Sequence, residues 1–387
     1  MIERRLQKKL LELIGQFPVV ALLGPRQSGK TTLAQAACPD YEYVNLEIFE
    51  EREFAERDGR GFLQRYAGGK GVIIDEIQKA PSLLSYIQVE VDRSQKTGRF
   101  LITGSQNILV NQHVSQTLAG RVALLTLLPL EIQELSIAGQ LPDTAMEAIF
   151  KGFYPRIYRD RADPVVWAES YIRTYVERDV RDIKNIESLS EFQKFMRLCA
   201  GRIGQLLNIS SLANEAGLSL VTVKSWLSIL EACYIIFRLQ PHHANFNKRL
   251  VKMPKLYFYD TALACHLLKI HNVEGVYDHY LRGGLFESMI LSDFIKQRHN
   301  RCLPPNAYFW RDKSGHEVDC ILEDANQLRP VEIKSSATIS PDFFESLEKW
   351  ARLAGVSPAT GTVVYGGDID QKRAQGHALS WKRAWEA

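Results

Sequence analysis

The fold of the N-terminal part of the chain is decided by Pro18-Val-Val-Ala-Leu-Leu-Gly-Pro-Arg-Gln-Ser-Gly-Lys-Thr-Thr32. The apolar run that ends before Gly24 is typical of a strand buried on both faces of a parallel sheet. From Thr31 the sequence continues with the composition of a helix. Between them, Gly24 to Thr31 has the pattern GxxxxGKT in the strand-to-helix context that a phosphate-binding loop requires.

Each residue type in this loop has a physical reason to be there. Glycines let backbone N–H groups wrap around phosphates, and the following helix N-terminus adds partial positive charge. Lys30 is expected to reach the terminal phosphates and Thr31 to bind Mg²⁺. The alternative is a chance glycine-rich turn. The predicted ATP-binding residues of the loop are Gly24, Pro25, Arg26, Gln27, Ser28, Gly29, Lys30, Thr31 and Thr32.

Two further apolar runs end in polar residues that should meet the loop at the same sheet edge. Gly71-Val-Ile-Ile-Asp75 is followed by Glu76, which is the Walker B arrangement. We expect Asp75 to hold Mg²⁺ and Glu76 to activate the attacking water, unless the two acids only cap the next helix. After Arg99-Phe-Leu-Ile-Thr103, Ser105 is the preferred γ-phosphate sensor, with Gln106 close behind.

The order of these strands and motifs resembles the AAA+ ATPases, in particular a prokaryotic group in which a Leu-Ala-Gly-Arg segment precedes another C-terminal domain. The resemblance implies that Arg121 is an arginine finger that completes a neighbouring subunit's site. The resemblance also implies a homo-oligomer, which is expected to be a ring of six subunits. The alternative for Arg121 is a salt bridge within the chain. A helical lid should supply a sensor arginine, and spacing does not decide between Arg156 and Arg173.

Bulk composition narrows the class of protein. With 387 residues, 45% hydrophobic and 24% charged, the chain should fold into two or three domains. A net charge of +3 gives no global basic field, so any nucleic acid must bind local patches. Six scattered cysteines suggest neither zinc nor disulfides and are expected to be buried. The charged N-terminus and the lack of a long apolar run predict a cytoplasmic protein without a membrane partner.

A helix-turn-helix pattern lies in the middle of the chain. Ile209 to Ala216 and Leu220 to Leu230 are separated by Gly217 and the N-cap Ser219. Paired strands after them, Cys233 to Leu239 and Lys255 to Tyr259, predict a winged helix with a basic wing. DNA phosphates could contact the wing, or the module could serve only protein packing. The wing loop contains His242, His243, Lys248, Arg249 and Lys252, and its cations would contact phosphates. From the second helix, Thr222, Lys224 and Ser225 could face a groove of the DNA.

The C-terminal part has the element order αβββαβ. A helix is expected from about Tyr277 to Gln297, then strands near 307–311, 317–322 and 330–334, a helix over 342–353 and a strand near 362–365. On the third strand Glu332 and Lys334 share a face, because side chains alternate along a strand. Asp319 on the second strand and Glu332 would form an oxygen site for Mg²⁺ or Mn²⁺, to which Glu287 could add a ligand.

This order and spacing resembles the PD-(D/E)xK nucleases, the restriction endonuclease-like fold that includes archaeal Holliday junction resolvases. Asp319 matches the Asp of the motif and Glu332-Ile-Lys334 its ExK, although Val318 stands where proline is usual. The resemblance implies metal-dependent cleavage, with Asp319, Glu332 and Lys334 catalytic. The same acids can serve DNA binding alone.

The sequence thus predicts an α/β protein made of a P-loop AAA+ core at 1–127, a helical lid at 128–200, a winged helix at 201–270 and a nuclease-like domain at 271–387. The leading hypothesis is an oligomeric ATPase that remodels and cleaves DNA, with branched DNA as one candidate substrate. The alternative is an ATP-dependent switch whose C-terminal domain binds nucleic acid or a protein without cleaving. A replication-type loader ranks last because it leaves the acidic site unexplained.

Overall fold

A computed structural model describes residues 2–94, 96–105, 114, 116–176, 189–242, 251–325, 327–357 and 361–387. The apolar runs of the N-terminal part form five strands of one parallel sheet, in the order β2-β3-β4-β1-β5. These strands are β1 Val19–Gly24, β2 Glu42–Asn45, β3 Val72–Asp75, β4 Phe100–Ser105 and β5 Val122–Thr126. All six residues of β1 are buried, as the apolar run before Gly24 predicts.

Helices cover both faces of this sheet. Leu6 and Leu10 of the first helix pack with β1 on one face, while Phe62 and Ile87 pack on the other. Because each helix has only one apolar stripe, the sheet is the surface that buries it. The described helices are α1 Leu6–Ile14, α2 Lys30–Ala37, α3 Phe49–Arg57, α4 Gly59–Gln64 and α5 Leu83–Ser94. The helix expected from Asn107 to Leu118 lies largely outside the described residues.

The middle of the chain is helical, as its periodicity predicts. The predicted helix-turn-helix is present as two helices around Gly217, which adopts a left-handed φ of 74°, with Ser219 as the second N-cap. Strands β6 Ile236–Leu239 and β7 Lys255–Phe258 then pair antiparallel. The helices are α6 Ile132–Ile137, α7 Ala145–Lys151, α8 Pro155–Arg159, α9 Pro164–Tyr171, α10 Leu189–Ala200, α11 Ile209–Ala216, α12 Leu220–Ala232 and α13 Thr261–Leu267.

The C-terminal part follows the predicted αβββαβ order and extends it. Its helices are α14 Val273–Asp278, α15 Arg282–Asn300 and α16 Glu345–Ala354. Its strands are β8 Ala307–Arg311, β9 Glu317–Asp324, β10 Gln327–Lys334, β11 Thr362–Tyr365, β12 Gln371–Arg373 and β13 Gly376–Ser380. The sheet order is β12-β13-β11-β10-β9-β8, and β10 runs parallel to β11 and antiparallel to β9.

Two expectations are wrong in detail. The long helix does not begin near Tyr277, because His279 has extended backbone angles (φ −74°, ψ 133°) that end α14 and separate it from α15. Cysteines are not all buried, since Cys302 is exposed after the end of α15 while the other five are buried. Cys302 follows the last helical turn at a left-handed φ of 56°, where the chain turns at the surface.

One apolar cluster crosses the predicted limits at residues 200 and 270. It includes Trp167 of the predicted lid, Trp226 of the helix pair and Phe286 of α15. The limits between the predicted lid, winged helix and nuclease-like domain therefore remain predictions. No helix in the described part of the chain combines the length and apolar character needed to cross a bilayer.

Candidate functional site

The P-loop has the backbone geometry that its glycines predict. Gly24 has a φ of 147°, and a Cβ placed there would lie 2.2 Å from the Leu127 carbonyl oxygen. Gly29 has a left-handed φ of 95° directly before α2. Any other residue at Gly24 would collide with the backbone of Leu127, directly after β5, and an L residue at position 29 would be strained. The loop is thus a cradle that only glycine permits.

Lys30 and Thr31 lie at the mouth of this loop. The Lys30 ammonium donates to the carbonyl oxygens of Gly24 at 3.1 Å and Pro25 at 2.8 Å, and the side chain is almost fully buried. Thr31 Oγ1 donates to Asp75 Oδ2 at 2.9 Å. The first and third strands thus bring the predicted loop and the predicted Walker B carboxylate into direct contact.

The Asp75 carboxylate accepts hydrogen bonds from two more hydroxyl groups. Tyr43 donates to Asp75 Oδ2 at 2.8 Å, and Thr103 donates to Oδ1. Burial, with the nearby charge of Asp75, raises the pKa of Tyr43, so this hydroxyl remains a donor. Because three hydroxyls from β2, α2 and β4 converge on it, the carboxylate is fixed at the sheet edge, where an oxygen ligand for Mg²⁺ belongs.

Glu76 adopts a left-handed backbone conformation, with φ 57° and ψ 47°. Non-glycine residues rarely adopt this conformation, and it is enriched at functional sites. The Gln78 amide donates to the Glu76 carboxylate. The sharp turn after β3 separates Glu76 from Asp75, so that one acid meets Thr31 and the other lines the cavity beside the P-loop.

A cavity of about 640 Å³ opens in front of the P-loop. The predicted lid contributes Arg156 and Arg159 to its wall, whereas Arg173 lies 3.6 Å from Glu169 with an exposed side chain. The geometry therefore favours Arg156 over Arg173 as the lid arginine. Its remaining lining includes the N-terminal residues Ile2, Arg4 and Gln7, the loop residues Arg26, Gln27, Gly29, Lys30, Thr31 and Thr32, and the acids Glu47 and Glu76.

The predicted sensor and finger have different outcomes. Ser105 ends β4 next to Gly24 of β1, but its side chain and all of Gln106 lie outside the described residues. The Arg121 guanidinium forms a two-point salt bridge with Asp92 of the same chain, at 2.6 and 2.9 Å. The structure thus has the salt bridge within the chain that was the alternative for Arg121. The role of Arg121 towards a neighbouring subunit remains a prediction.

In the C-terminal sheet, Asp319 and Glu332 lie on either side of Lys334. Lys334 Nζ donates to Asp319 Oδ2 at 3.3 Å and to Glu332 Oε1 at 2.5 Å. Glu332 is 4% exposed, and among the described residues no hydrogen-bond partner is found for its Oε2. Burial, with the Asp319 charge, raises the pKa of Glu332 well above its ordinary value. The predicted Asp and ExK residues are therefore in contact.

Glu287 of α15 has other direct partners. Its Oε2 accepts from the Tyr257 hydroxyl at 2.8 Å and lies 3.7 Å from Lys255 Nζ. Burial, followed by the charge of Asp319, raises the pKa of Glu287 to about 7. Lys255 also pairs with Glu317, so a buried ammonium from β7 lies within an acidic cluster formed by Glu287, Glu317, Asp319 and Glu332.

Mg²⁺ is commonly held by one or two carboxylates together with substrate phosphates. Asp319 and Glu332, with its unpaired buried oxygen, fit such a two-carboxylate set. A three-ligand set that includes Glu287 is not supported, because the described residues contain no group of three or more His, Cys, Asp and Glu placed to hold a metal ion.

The predicted DNA-contacting residues are only partly described. Thr222, Lys224 and Ser225 lie on α12, where the Thr222 N–H donates to the hydroxyl oxygen of the N-cap Ser219. In the predicted wing, His242 is buried with its Nε2 3.6 Å from Glu323, and Lys252 is exposed. His243, Lys248 and Arg249 lie outside the described residues.

Comparison with known protein families agrees with the geometry of the first sheet. Residues 16–136 match the model of the AAA domain. This stretch contains the P-loop, Asp75 and Glu76. Residues 16–136 are therefore similar in sequence to AAA domains. Residues 143–274 and 282–384 match two domains of unknown function, DUF8612 and DUF4143.

The relatives and similar structures cover most of the chain. Two uncharacterised proteins, from Mycobacterium tuberculosis and Mycobacterium bovis, are 28% identical over 376 residues, which is 95% of this chain and 81% of theirs. The Walker-type ATPase PABY2304 of Pyrococcus abyssi has a TM-score of 0.47 at 14% identity, over 69% of this chain and 96% of that one. The Thermotoga maritima RuvB Holliday junction branch migration motor has a TM-score of 0.33 at 21% identity, over 61% and 90%.

Sequence reasoning missed three side chains at these sites. Tyr43 contacts Asp75 and Arg4 contacts the P-loop from other elements, and only the three-dimensional structure identifies these contacts. Lys255 had a weak signal, because a lysine at the start of the apolar strand Lys255-Leu-Tyr-Phe258 must either reach solvent or find buried acids.

Proposed function

We propose that the AAA+ domain hydrolyses ATP at the carboxyl edge of its parallel sheet. The observation that carries this proposal is the contact of Thr31 with Asp75, 2.9 Å apart, beside a cavity lined by Lys30 and Glu76. The backbone N–H groups of residues 24–31 would bind the phosphates, and Lys30 would exchange its carbonyl partners for the terminal phosphate.

Asp75 and Glu76 would have different roles in the reaction. Thr31 and Asp75 would hold Mg²⁺, which neutralises phosphate charge when bound. Glu76 would orient a water and take its proton, a role that its strained backbone and Gln78 contact favour by aiming the carboxylate into the cavity. Arg156 would contact the γ-phosphate from the lid, and Ser105 from β4.

Two substitutions separate ATP binding from turnover. Lys30→Ala should abolish measurable binding of ATP, because it removes the cation at the terminal phosphate. Glu76→Gln should retain binding but lower kcat about 100-fold or more, since it removes the base. Lys70→Ala is the matched control, because Lys70 pairs with Asp40 at the surface before the other end of β3. Unchanged turnover in Glu76→Gln would reject this role for Glu76.

We further propose that the chain acts on DNA and that its C-terminal sheet cleaves it. The support is the contact of Asp319, Glu332 and Lys334, with a buried carboxylate oxygen that a cation could use. Asp319 and Glu332 would hold Mg²⁺ or Mn²⁺, and Lys334 would stabilise charge on the phosphate. In the alternative, the same module binds nucleic acid or a protein as part of an ATP-dependent switch.

Asp319→Ala decides between these two functions. Labelled single-stranded, duplex and four-way-junction DNA would be incubated with Mg²⁺ or Mn²⁺, with and without ATP. Nuclease function predicts that Asp319→Ala loses cleavage and keeps ATP turnover, while Glu323→Ala on the same strand keeps both. If the wild type hydrolyses ATP but cuts none of these substrates, the switch replaces the nuclease.

A further inference from the structure

A buried arginine near the N-terminus holds the P-loop from outside the motif. Arg4 is 7% exposed, and its Nη1 donates to the Ser28 carbonyl oxygen at 2.7 Å. Its Nη2 donates to the Leu128 carbonyl oxygen at 2.7 Å, just after β5. One planar guanidinium therefore binds both the P-loop and the segment that leaves the N-terminal sheet.

The Ser28 carbonyl matters for phosphate binding. It belongs to the same peptide unit as the Gly29 N–H, and in a trans peptide these two groups point in opposite directions. The bond from Arg4 to the Ser28 carbonyl therefore also fixes the direction of the Gly29 N–H, which would donate a hydrogen bond to a phosphate in the P-loop. Because glycine has wide backbone freedom, a fixed Ser28 carbonyl restricts the orientation of the Gly29 N–H.

The third contact of Arg4 is a buried carboxylate. Arg4 Nε lies 3.1 Å from both oxygens of Glu134, which is 1% exposed in the first turn of α6. Glu134 also accepts from the Arg5 N–H at 2.8 Å and from the Glu131 N–H at 3.1 Å. Because a buried ion is costly to leave unpaired, this carboxylate holds Arg4 in place.

The same turn of α6 is tied to the C-terminal helix α15. Asp293 Oδ1 accepts from the Ile132 N–H at 2.7 Å, and Lys296 Nζ donates to the Leu130 carbonyl oxygen at 3.1 Å. Asp293 and Lys296 are 1% and 2% exposed. Glu287 of the acidic cluster lies on the same helix, six residues or about 9 Å along the axis from Asp293.

We propose that Arg4 is a positioning residue of the ATP site and that it ties the orientation of the P-loop to α15 through Glu134 and Asp293. This inference rests on the proposed ATP site at residues 24–31 and is independent of DNA cleavage. A change at Asp293 is then expected to change ATP affinity, although Asp293 lies on the C-terminal helix α15 and its direct partner is the Ile132 N–H of α6.

Binding of a fluorescent ATP analogue with Mg²⁺ tests the positioning role. Arg4→Met should weaken binding about tenfold or more, the effect of losing charge-assisted hydrogen bonds at the loop. Arg4→Lys should be intermediate, since one ammonium can replace only part of the planar fork. Lys9→Met is the matched control, because the Lys9 ammonium binds Glu12 at 2.8 Å on the exposed side of α1, and it should stay within about threefold of wild type.

Circular dichroism and the Tm without nucleotide separate positioning from folding. A purely structural role would lower the Tm of Arg4→Met and leave ATP binding unchanged in the folded protein, which would overturn the proposal. If Arg4→Met does not fold, Glu134→Gln removes the charge that holds Arg4 and should also weaken ATP binding. Equal effects of Arg4→Met and Lys9→Met would overturn it as well.

The link to α15 is tested with Asp293→Asn and the double variant Arg4→Met/Asp293→Asn. Asp293→Asn should weaken ATP binding severalfold, and the double variant should lose less than the sum of the two single losses. Wild-type affinity in Asp293→Asn, or strict additivity, would overturn the link. If the wild type and Lys9→Met also fail to bind ATP, the proposed ATP site fails instead.

Discussion

At the scale of single residues, Glu131 should make stability depend on pH. It caps α6 and accepts from Arg5, yet it is fully buried. Burial, with the charges of Asp293 and Glu134, raises its pKa to about 7 from an ordinary 4.5. Between these two values the folded state binds more protons than the unfolded state, so the free energy of unfolding falls as pH rises through this range.

Glu131→Gln should remove this dependence. The side chain keeps an oxygen for Arg5 but no longer titrates, so urea midpoints of the variant should fall less between pH 5 and 8 than those of the wild type. The difference corresponds to at most about 3 kcal/mol over the shift. Glu147→Gln, which alters a surface pair with Lys151, is the control and should follow the wild-type slope. Parallel slopes for Glu131→Gln and wild type would show that Glu131 is ionised in the folded state.

At the scale of elements, local sequence predicts what local physics determines. The strand before Gly24 is buried along its whole length, and Ser219 caps its helix, because an apolar run and a hydroxyl before a helical pattern act over a few residues. The sequence also predicts that Thr31 and Asp75 lie close together, since the ends of parallel strands share one edge of a sheet.

Other elements and contacts have no local signal. Gln371–Arg373 is a strand without an apolar pattern, because it is formed by pairing with β13 at the sheet edge. Arg4 and Glu134 are 130 residues apart, and neither position is distinguishable from a surface charge in the sequence. Lys255 likewise meets Glu287 and Glu317 only after two parts of the chain pack together.

At the scale of the whole molecule, the segment that follows the N-terminal sheet shares one buried core with the C-terminal part. The cluster that contains Leu128 continues into Phe294 and Trp381, so α15 has its apolar face inside the same core as α6. Interfaces that are packed in this way switch between discrete arrangements instead of deforming gradually. A displacement of α6 is therefore expected to move α15, which carries Glu287, together with it.

Assembly is the other property at this scale, and Arg121 provides its test. Arg121 is bound to Asp92 at 2.6 Å in the single chain, an exposed contact that a neighbouring nucleotide could replace. We expect Arg121→Ala and Glu76→Gln to be inactive alone in an ATPase assay. Mixed, they should recover part of the turnover, because a subunit with Glu76 would then meet a neighbour with Arg121. Recovery should increase with protein concentration, whereas a mixture as inactive as its components would confine Arg121 to the salt bridge within its own chain.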